Sequence, residues 1–276
     1  LLSPGNALPP LAGVRHVLAL QSMHYRYVPD QMAASRVRYF RMLVPLSARR
    51  AARVICVSED LRRALGEVAP GVVSEVIHEG VDTAVFEPDG PAAEGSPYLL
   101  YVSSLNRFKR PDRVVEALAA LRGEGFESPV LRLVGRADAD DRARVEGRAA
   151  ELGVTDLVRV EGVVGPGELA MLYRGARALV YPSAVETFGL PPLEAMACGC
   201  PVVASNRTSV PEVCGDGALL VDPDDVPALA EALRRVLTDE DLRSGLVERG
   251  FANVSRFTWE RAAEETLRVL REACLA

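Results

Sequence analysis

Lys109 is the only lysine in the chain; the other 31 of its 32 basic side chains are arginine. Where arginine is used almost everywhere, the ammonium retained in "LNRFKRPD" (105–112) marks a position suited to a flexible point charge reaching a phosphate. Arg107 and Arg110 flank it, and a solvated basic loop is the competing reading. A second group is acidic. In "PSAVETFGLPPLEAMACGCPVVAS" (182–205), Glu186 and Glu194 stand eight residues apart around a glycine turn and Pro191–Pro192. Prolines suit the first turn of a helix, and its unpaired amides, beginning near Phe188, Gly189 and Leu190, favour an anion or an oxygen-rich ligand. Glu194, in that first turn, is suited to accept both hydroxyls of a ribose. Glu186, on the preceding loop, can bind hydroxyls of a second ring or oppose developing positive charge. The alternative is two acids that only stabilise a helix end, worth under ~1 kcal/mol each. A third segment, "EGVVGPGEL", carries Gly162, Gly165 and Gly167, which either let a ligand ring approach the backbone or serve turn geometry alone.

These segments need elements to hold them. From residue 53 onward short apolar runs alternate with amphipathic stretches. Strands are predicted at 53–58, 74–82, 98–104, 129–135, 158–162, 177–183, 201–205 and 218–223. Helices are predicted after Ser58, an N-cap candidate, and over 111–125, 140–153, 167–176, 191–199 and 226–239. Near-continuous apolar strands alternating with helices imply α/β architecture with parallel sheets covered on both faces and doubly wound. Ligands then bind beyond the carboxyl ends of the strands, which is where all three segments fall. The Pro-, Gly- and acid-rich stretch 87–97 reads as a linker between a first domain, 1–86, and a second, 98–253.

Composition narrows the class. The chain has 276 residues, 49% hydrophobic and 25% charged, as expected of a globular protein with room for two domains. The opening "LLSPGNALPPLAG" has no basic stretch or apolar core of a signal peptide. Five scattered cysteines suggest a reduced, cytoplasmic protein, with Cys198 and Cys200 as small core residues rather than metal ligands. The net charge of −6 divides unevenly, +7 over residues 1–55 and −13 over the rest. Segment 35–54, "SRVRYFRMLVPLSARRAARV", mixes arginines with Tyr39, Phe40, Met42 and Leu43; it reads as a helical hairpin with a solvated arginine face, or as peripheral contact with an anionic membrane surface. The overall acidity and the isolation of this segment argue against nucleic acid.

"ETFGLPPLEAMACGCPVVAS" resembles the E-x7-E signature of the retaining nucleotide-sugar glycosyltransferases of family 4, group 1 glycosyltransferases with the GT-B fold of two Rossmann-like domains. "RVICVSEDLRRAL", "EVIHEGVDTAVFEP", "YVSSLNRFKRPDRVVEAL", "VRVEGVVGPGELAMLYRGARALVYPS", "VPEVCGDGALLVDPDD" and "RFTWERAAEETLRVL" resemble family blocks in family order. The last implies a C-terminal helix, 254–276, returning to the first domain. The resemblance implies a hexosyltransferase that moves sugar from a nucleoside-diphosphate sugar to a glycan, lipid-linked or small-molecule acceptor with retention of configuration. It assigns Lys109 to the donor diphosphate, with Arg107 or Arg110 replacing a family arginine whose position here is Ser104. It assigns Glu194 to the ribose, Glu186 to the donor sugar, Thr187, Phe188, Gly189 and Leu190 to sugar and phosphate oxygens, and Val163 and Val164 to the nucleobase. No metal or other cofactor is implied, because cationic side chains do that work.

The family's Gly-rich first loop has no counterpart, and Gln21 and Ser22 stand where a His-Asp pair would align. The first domain therefore reads as incomplete, the chain as N-terminally truncated, and a catalytically degenerate donor-binding or scaffold protein as the alternative. A dinucleotide-dependent oxidoreductase would need G-x-G-x-x-G after its first strand, which is absent from the sequence. A pyridoxal-type phosphorylase would need a second lysine.

Overall fold

Among the residues described by the computed structural model, 1–8, 14–95 and 97–275, short apolar segments form ten parallel strands in two sheets. Residues 9–13 of the opening stretch, Ser96 of the expected linker and Ala276 of the expected last helix lie outside the described residues.

The first sheet runs β1(Leu2–Pro4), β2(Val17–Leu20), β3(Arg53–Cys56), β4(Ser74–Val76) in sequential order. The short helix α1(His24–Tyr27) and the long α2(Ala34–Arg50) connect β2 to β3, and α3(Glu59–Val68) connects β3 to β4. Ser58 caps α3, its hydroxyl accepting the Leu61 N–H at 3.2 Å. Two expectations change. Segment 35–54 is no hairpin: α2 is one helix through Pro45, and Arg53 already belongs to β3. The strand expected over 74–82 stops at Val76.

The second sheet has the order β10-β9-β8-β5-β6-β7. The chain enters at β5(Tyr98–Val102), crosses by α4(Pro111–Gly123) to β6(Val130–Val134) and by α5(Ala139–Glu151) to β7(Val158–Gly162) at one edge. It returns by α6(Pro166–Gly175) to β8(Ala178–Tyr181), beside β5 on its other flank, and continues through α7(Leu190–Ala197), β9(Val202–Ser205), α8(Val210–Cys214) and β10(Ala218–Val221). The direction of winding reverses between β5 and β8. Leu99, Tyr101, Leu131 and Leu133 of the sheet pack with Val114 and Leu118 of α4, Val145 of α5 and Leu229 and Leu233 of α9(Val226–Thr238). The alternate strand residues Leu100, Leu179 and Val202 are also fully buried, as a sheet covered on both faces requires.

Sequence periodicity alone missed α10(Glu240–Val254). Gly245 and Gly250 lower its helix propensity, but Gly250 is there for packing: a Cβ would lie 3.1 Å from Met196. The last helix, α11(Trp259–Leu275), starts five residues after the expected boundary. Its Val269 and Ala273 complete a core with Val17 and Ile55 of the first sheet and Ile77 just beyond β4.

Two compact units result, one of Leu1–Gly80, Val185–Phe188 and Phe257–Ala276, the other of Val81–Ala184 and Gly189–Arg256. The division thus falls at Gly80/Val81 rather than within 87–97. That stretch is held to the second unit, with Arg174 donating to the carbonyls of Pro91 (2.8 Å) and Glu87 (3.1 Å) and Ala93 N–H to Met171 O (2.9 Å). No helix among the described residues is long and apolar enough to cross a membrane.

Candidate functional site

The winding reversal separates the loops that leave β5 and β8, opening the crevice in which α/β sheets of this kind bind ligands. The loop after β5 tightens into a 3-10 turn, Arg107–Lys109. Buried Tyr101 holds this turn from beneath, donating from one hydroxyl toward the carbonyls of Ser104 (2.9 Å) and Lys109 (3.3 Å). The Lys109 ammonium lies 5.1 Å from the Phe108 ring centroid, within cation–π range. Phe108 O accepts the Ala184 N–H at 2.8 Å, so the Lys109 turn and the start of the loop leaving β8 are bonded across the reversal point.

The three basic residues of this turn differ. Arg107 is exposed and has no ion-pair partner among the described residues. Arg110 is half-buried, with Nε 2.9 Å from Asp224 Oδ1, though not aligned as a hydrogen bond. Asp224 also pairs with Arg207 at 2.7 Å, and Arg207 with Asp222 at 2.7 Å. Arg110 adopts φ +54°, a left-handed conformation that costs a non-glycine residue roughly 1–2 kcal/mol. Proline follows it and starts α4. Its guanidinium is committed to Asp224.

On the other side, Gly189 caps α7 at φ +109°. Leu190 is the first helical residue, and Pro191 and Pro192, having no N–H, leave the amides of Gly189 and Leu190 as the donors at this end. Glu194 accepts a hydrogen bond from Tyr173 at 2.9 Å on Oε2. Burial raises its carboxyl above the usual range, and the tyrosine partly offsets this by stabilising the charged form. Tyr173 is itself fully buried, packed edge-to-face on Phe86 with centroids 6.0 Å apart. Val163 and Val164 follow β7; Val163 is 75% exposed, a bare apolar side chain beyond a strand end. The β6–α5 loop crosses close by: Gly135 has φ +146°, and a Cβ there would stand 1.9 Å from Ser103 O.

The remaining loop residues, Val185–Phe188, group with the first unit. Glu186 is 6% exposed. Thr187 O accepts the Ser58 hydroxyl at 2.7 Å, and Phe188 packs near His78 and Phe257, with centroids 6.0 and 5.9 Å away. The Phe188 ring is therefore core, which leaves its amide as its means of meeting a ligand. Cys198 and Cys200 are buried, and burial pushes the Cys198 thiol up to about 11.

The sequence profile of the glycosyl transferases group 1 matches residues 82–252, well over half the chain. The chain belongs to this family. Among curated relatives of this group 1 glycosyltransferase, the O-antigen chain mannosyltransferase B of Escherichia coli is 38% identical over 171 residues, 62% of this chain and 44% of that protein. The D-inositol 3-phosphate glycosyltransferase of Acidothermus cellulolyticus is 35% identical over 214 residues, 72% of this chain and 48% of that protein. The chain spans about half the length of these relatives. Of solved structures, sucrose-phosphate synthase from Thermosynechococcus elongatus superposes with a TM-score of 0.81 at 29% identity, covering 94% of this chain and 67% of that one. Anabaena HepE in complex with UDP-glucose gives 0.80 at 19% identity, covering 94% and 72%, a likeness of fold.

Four residues of this glycosyltransferase escaped sequence reasoning: Tyr101, Tyr173, Gly135 and Asp224. A tyrosine inside an otherwise apolar strand or helix was the available signal, since a buried phenol requires a hydrogen-bond partner. For Asp224 there was none, because its partner lies over a hundred residues away.

Proposed function

We propose that the protein is a retaining hexosyltransferase of family 4, binding a nucleoside-diphosphate sugar at the reversal point of the second sheet. The observation that carries this is the Ala184–Phe108 hydrogen bond, which ties the turn of the chain's only lysine to the loop of the E-x7-E block. Lys109 and Arg107 neutralise charge on the departing diphosphate, work that elsewhere falls to a metal ion. Arg110, held by Asp224, is left to shape the turn. Glu194 accepts the ribose hydroxyls on the carboxylate that Tyr173 orients. The amides of Gly189 and Leu190, with Thr187 and Phe188 before them, hold sugar and phosphate oxygens, and the backbone at Val163 and Val164 meets the base. Glu186 binds the donor sugar. No covalent nucleophile is needed: the leaving phosphate takes the acceptor's proton as the new bond forms on the face it vacates.

Relatives named for mannosyl transfer, for glycosyl transfer to inositol phosphate and for sucrose phosphate synthesis support a hexose donor and a hydroxyl acceptor. The acceptor is a glycan, a lipid-linked sugar or a small molecule, and the reaction is cytoplasmic.

Calorimetric titration with UDP-, GDP-, ADP- and dTDP-sugars tests the reading, beside Lys109→Ala and Glu194→Gln. Binding of one nucleotide class, weakened more than ~10-fold in Lys109→Ala, supports the donor site; tenfold is about 1.4 kcal/mol. A folded protein that binds none of them overturns it. Binding without turnover selects the donor-binding or scaffold alternative, and proton NMR of any product decides retention.

A further inference from the structure

Helix α2 buries one side and presents an unusual opposite side. Val37, Val44 and Ala48 point inward, whereas Tyr39, Met42 and Leu46 are 52%, 66% and 47% exposed. At 100° per residue these three fall within about 60° of one another, on the side away from the buried line. Arg38 and Arg49 border this stripe on one flank, Arg36 and Arg50 on the other. A helix lying against its own protein and facing water would place its most polar residues at the centre of the outer face. Here that centre is apolar and its borders are cationic.

The charges lack acidic partners as well. None of the five arginines of α2 forms an ion pair with a described residue, Arg49 instead donating to the Val68 carbonyl at 3.0 Å, and no Asp or Glu occurs from Gln31 to Ser58. The arginines of α5 differ: Arg142 pairs with Glu146 (3.1 Å), Arg144 with Asp112 (3.0 Å) and Asp141 (3.2 Å), and Arg148 with Glu116 and Glu151 (both 2.9 Å). An apolar stripe between rows of guanidinium groups without acidic partners is complementary to acyl chains beneath phosphate headgroups. A second copy on this face would set its arginines against the same arginines under two-fold symmetry, with no acid to compensate either set.

We infer that the outer face of α2 docks on an anionic lipid bilayer, with Tyr39, Met42 and Leu46 inserted at headgroup depth and Arg36, Arg38 and Arg50 on the lipid phosphates. This stands independently of the transferase reading.

The test is co-sedimentation of the full chain with phosphatidylcholine vesicles with or without phosphatidylglycerol. Binding is expected only with the anionic lipid and falls on the order of tenfold as salt rises to the physiological range. Two variants, Tyr39→Ser/Met42→Ser/Leu46→Ser and Arg38→Glu/Arg50→Glu, each weaken it on the order of tenfold or more while leaving thermal unfolding unchanged. Should the triple variant fail to fold, the exposed charge-reversal pair still decides. Tyr39→Trp in a Trp259→Phe background, which removes the sole native tryptophan, gives a blue-shifted emission on anionic vesicles. Equal binding to neutral vesicles, or full binding by both variants, overturns the inference. So does a dimer in lipid-free solution that the triple variant abolishes, which would make this face an interface between copies.

Discussion

The two sheets are built from the same units, parallel strands with helical crossovers, but they are wound differently. The second starts in its middle, runs outward to β7, then reverses and runs outward the other way to β10. Among the described residues the first runs from β1 to β4 without reversing. Reversal forces the loops after β5 and β8 to part, and the two segments with the most specific chemistry, around Lys109 and Glu194, follow those strands. In the first unit the conspicuous chemistry lies instead on the outer face of one helix. Topology locates a ligand crevice where winding reverses, and elsewhere side-chain composition must do so.

Glycine gives the largest test of this contrast. Gly135, after β6, has φ +146° and no room for a Cβ, whereas Gly5, after β1, has φ +130° and nothing within 4 Å. Gly135→Ala should cost about 3–4 kcal/mol and Gly5→Ala about 1 kcal/mol, read from urea midpoints. Equal losses would mean that the close approach of Gly135 to the Ser103 carbonyl does not constrain the loop after β6.

Lys109→Ala comes next. It should lower kcat/KM for transfer on the order of 100-fold without changing the melting temperature. A variant within threefold of the parent would remove the crevice from the mechanism. For the first unit the sharper probe is Ser58, whose hydroxyl caps α3 and donates to Thr187 O. Ser58→Ala should cost about 1–2 kcal/mol in unfolding.

The smallest effect concerns acidity. Burial raises the Glu194 carboxyl and the Tyr173 hydroxyl lowers it. Donor binding that needs the carboxylate is therefore complete above this raised pKa and lost as pH falls through it, at higher pH than an ordinary glutamate would give. Tyr173→Phe removes the lowering contribution, so the acid limb of a pH–affinity curve should move further upward. Affinity at neutral pH should weaken only a few-fold. A shift to lower pH would contradict the assigned role of the tyrosine.

Much of this was legible in the residues. Continuous apolar runs such as "YLLYV" and "ALVY" announce strands buried on both faces, and Pro191–Pro192 announces the start of α7. The winding order was not legible, because it depends on which strands pair. Nor was the Arg110–Asp224 contact, which joins residues remote in sequence. Helix α10 was hidden by Gly245 and by Gly250, the second of which packing selects, although Asp239, capping it through the Leu242 N–H at 2.9 Å, offered a local signal. Helix α2 illustrates the opposite error: a hairpin was expected over 35–54, yet one helix runs through Pro45, whose single missing N–H a long helix tolerates.

The chain leaves the first unit at Gly80 and rejoins it for good at Phe257. That path has a consequence for the order of events on the ribosome. The second unit has all its residues once Arg256 has emerged, while Val17, Ile55 and Ile77 still lack the Val269 and Ala273 of α11 that cover them. The part made first is thus the part finished last, inverting the usual N-to-C order of cotranslational folding. Until α11 is released from the exit tunnel, the nascent protein carries a naked sheet face, and a ribosome stalled before α11 emerges would present it to chaperones.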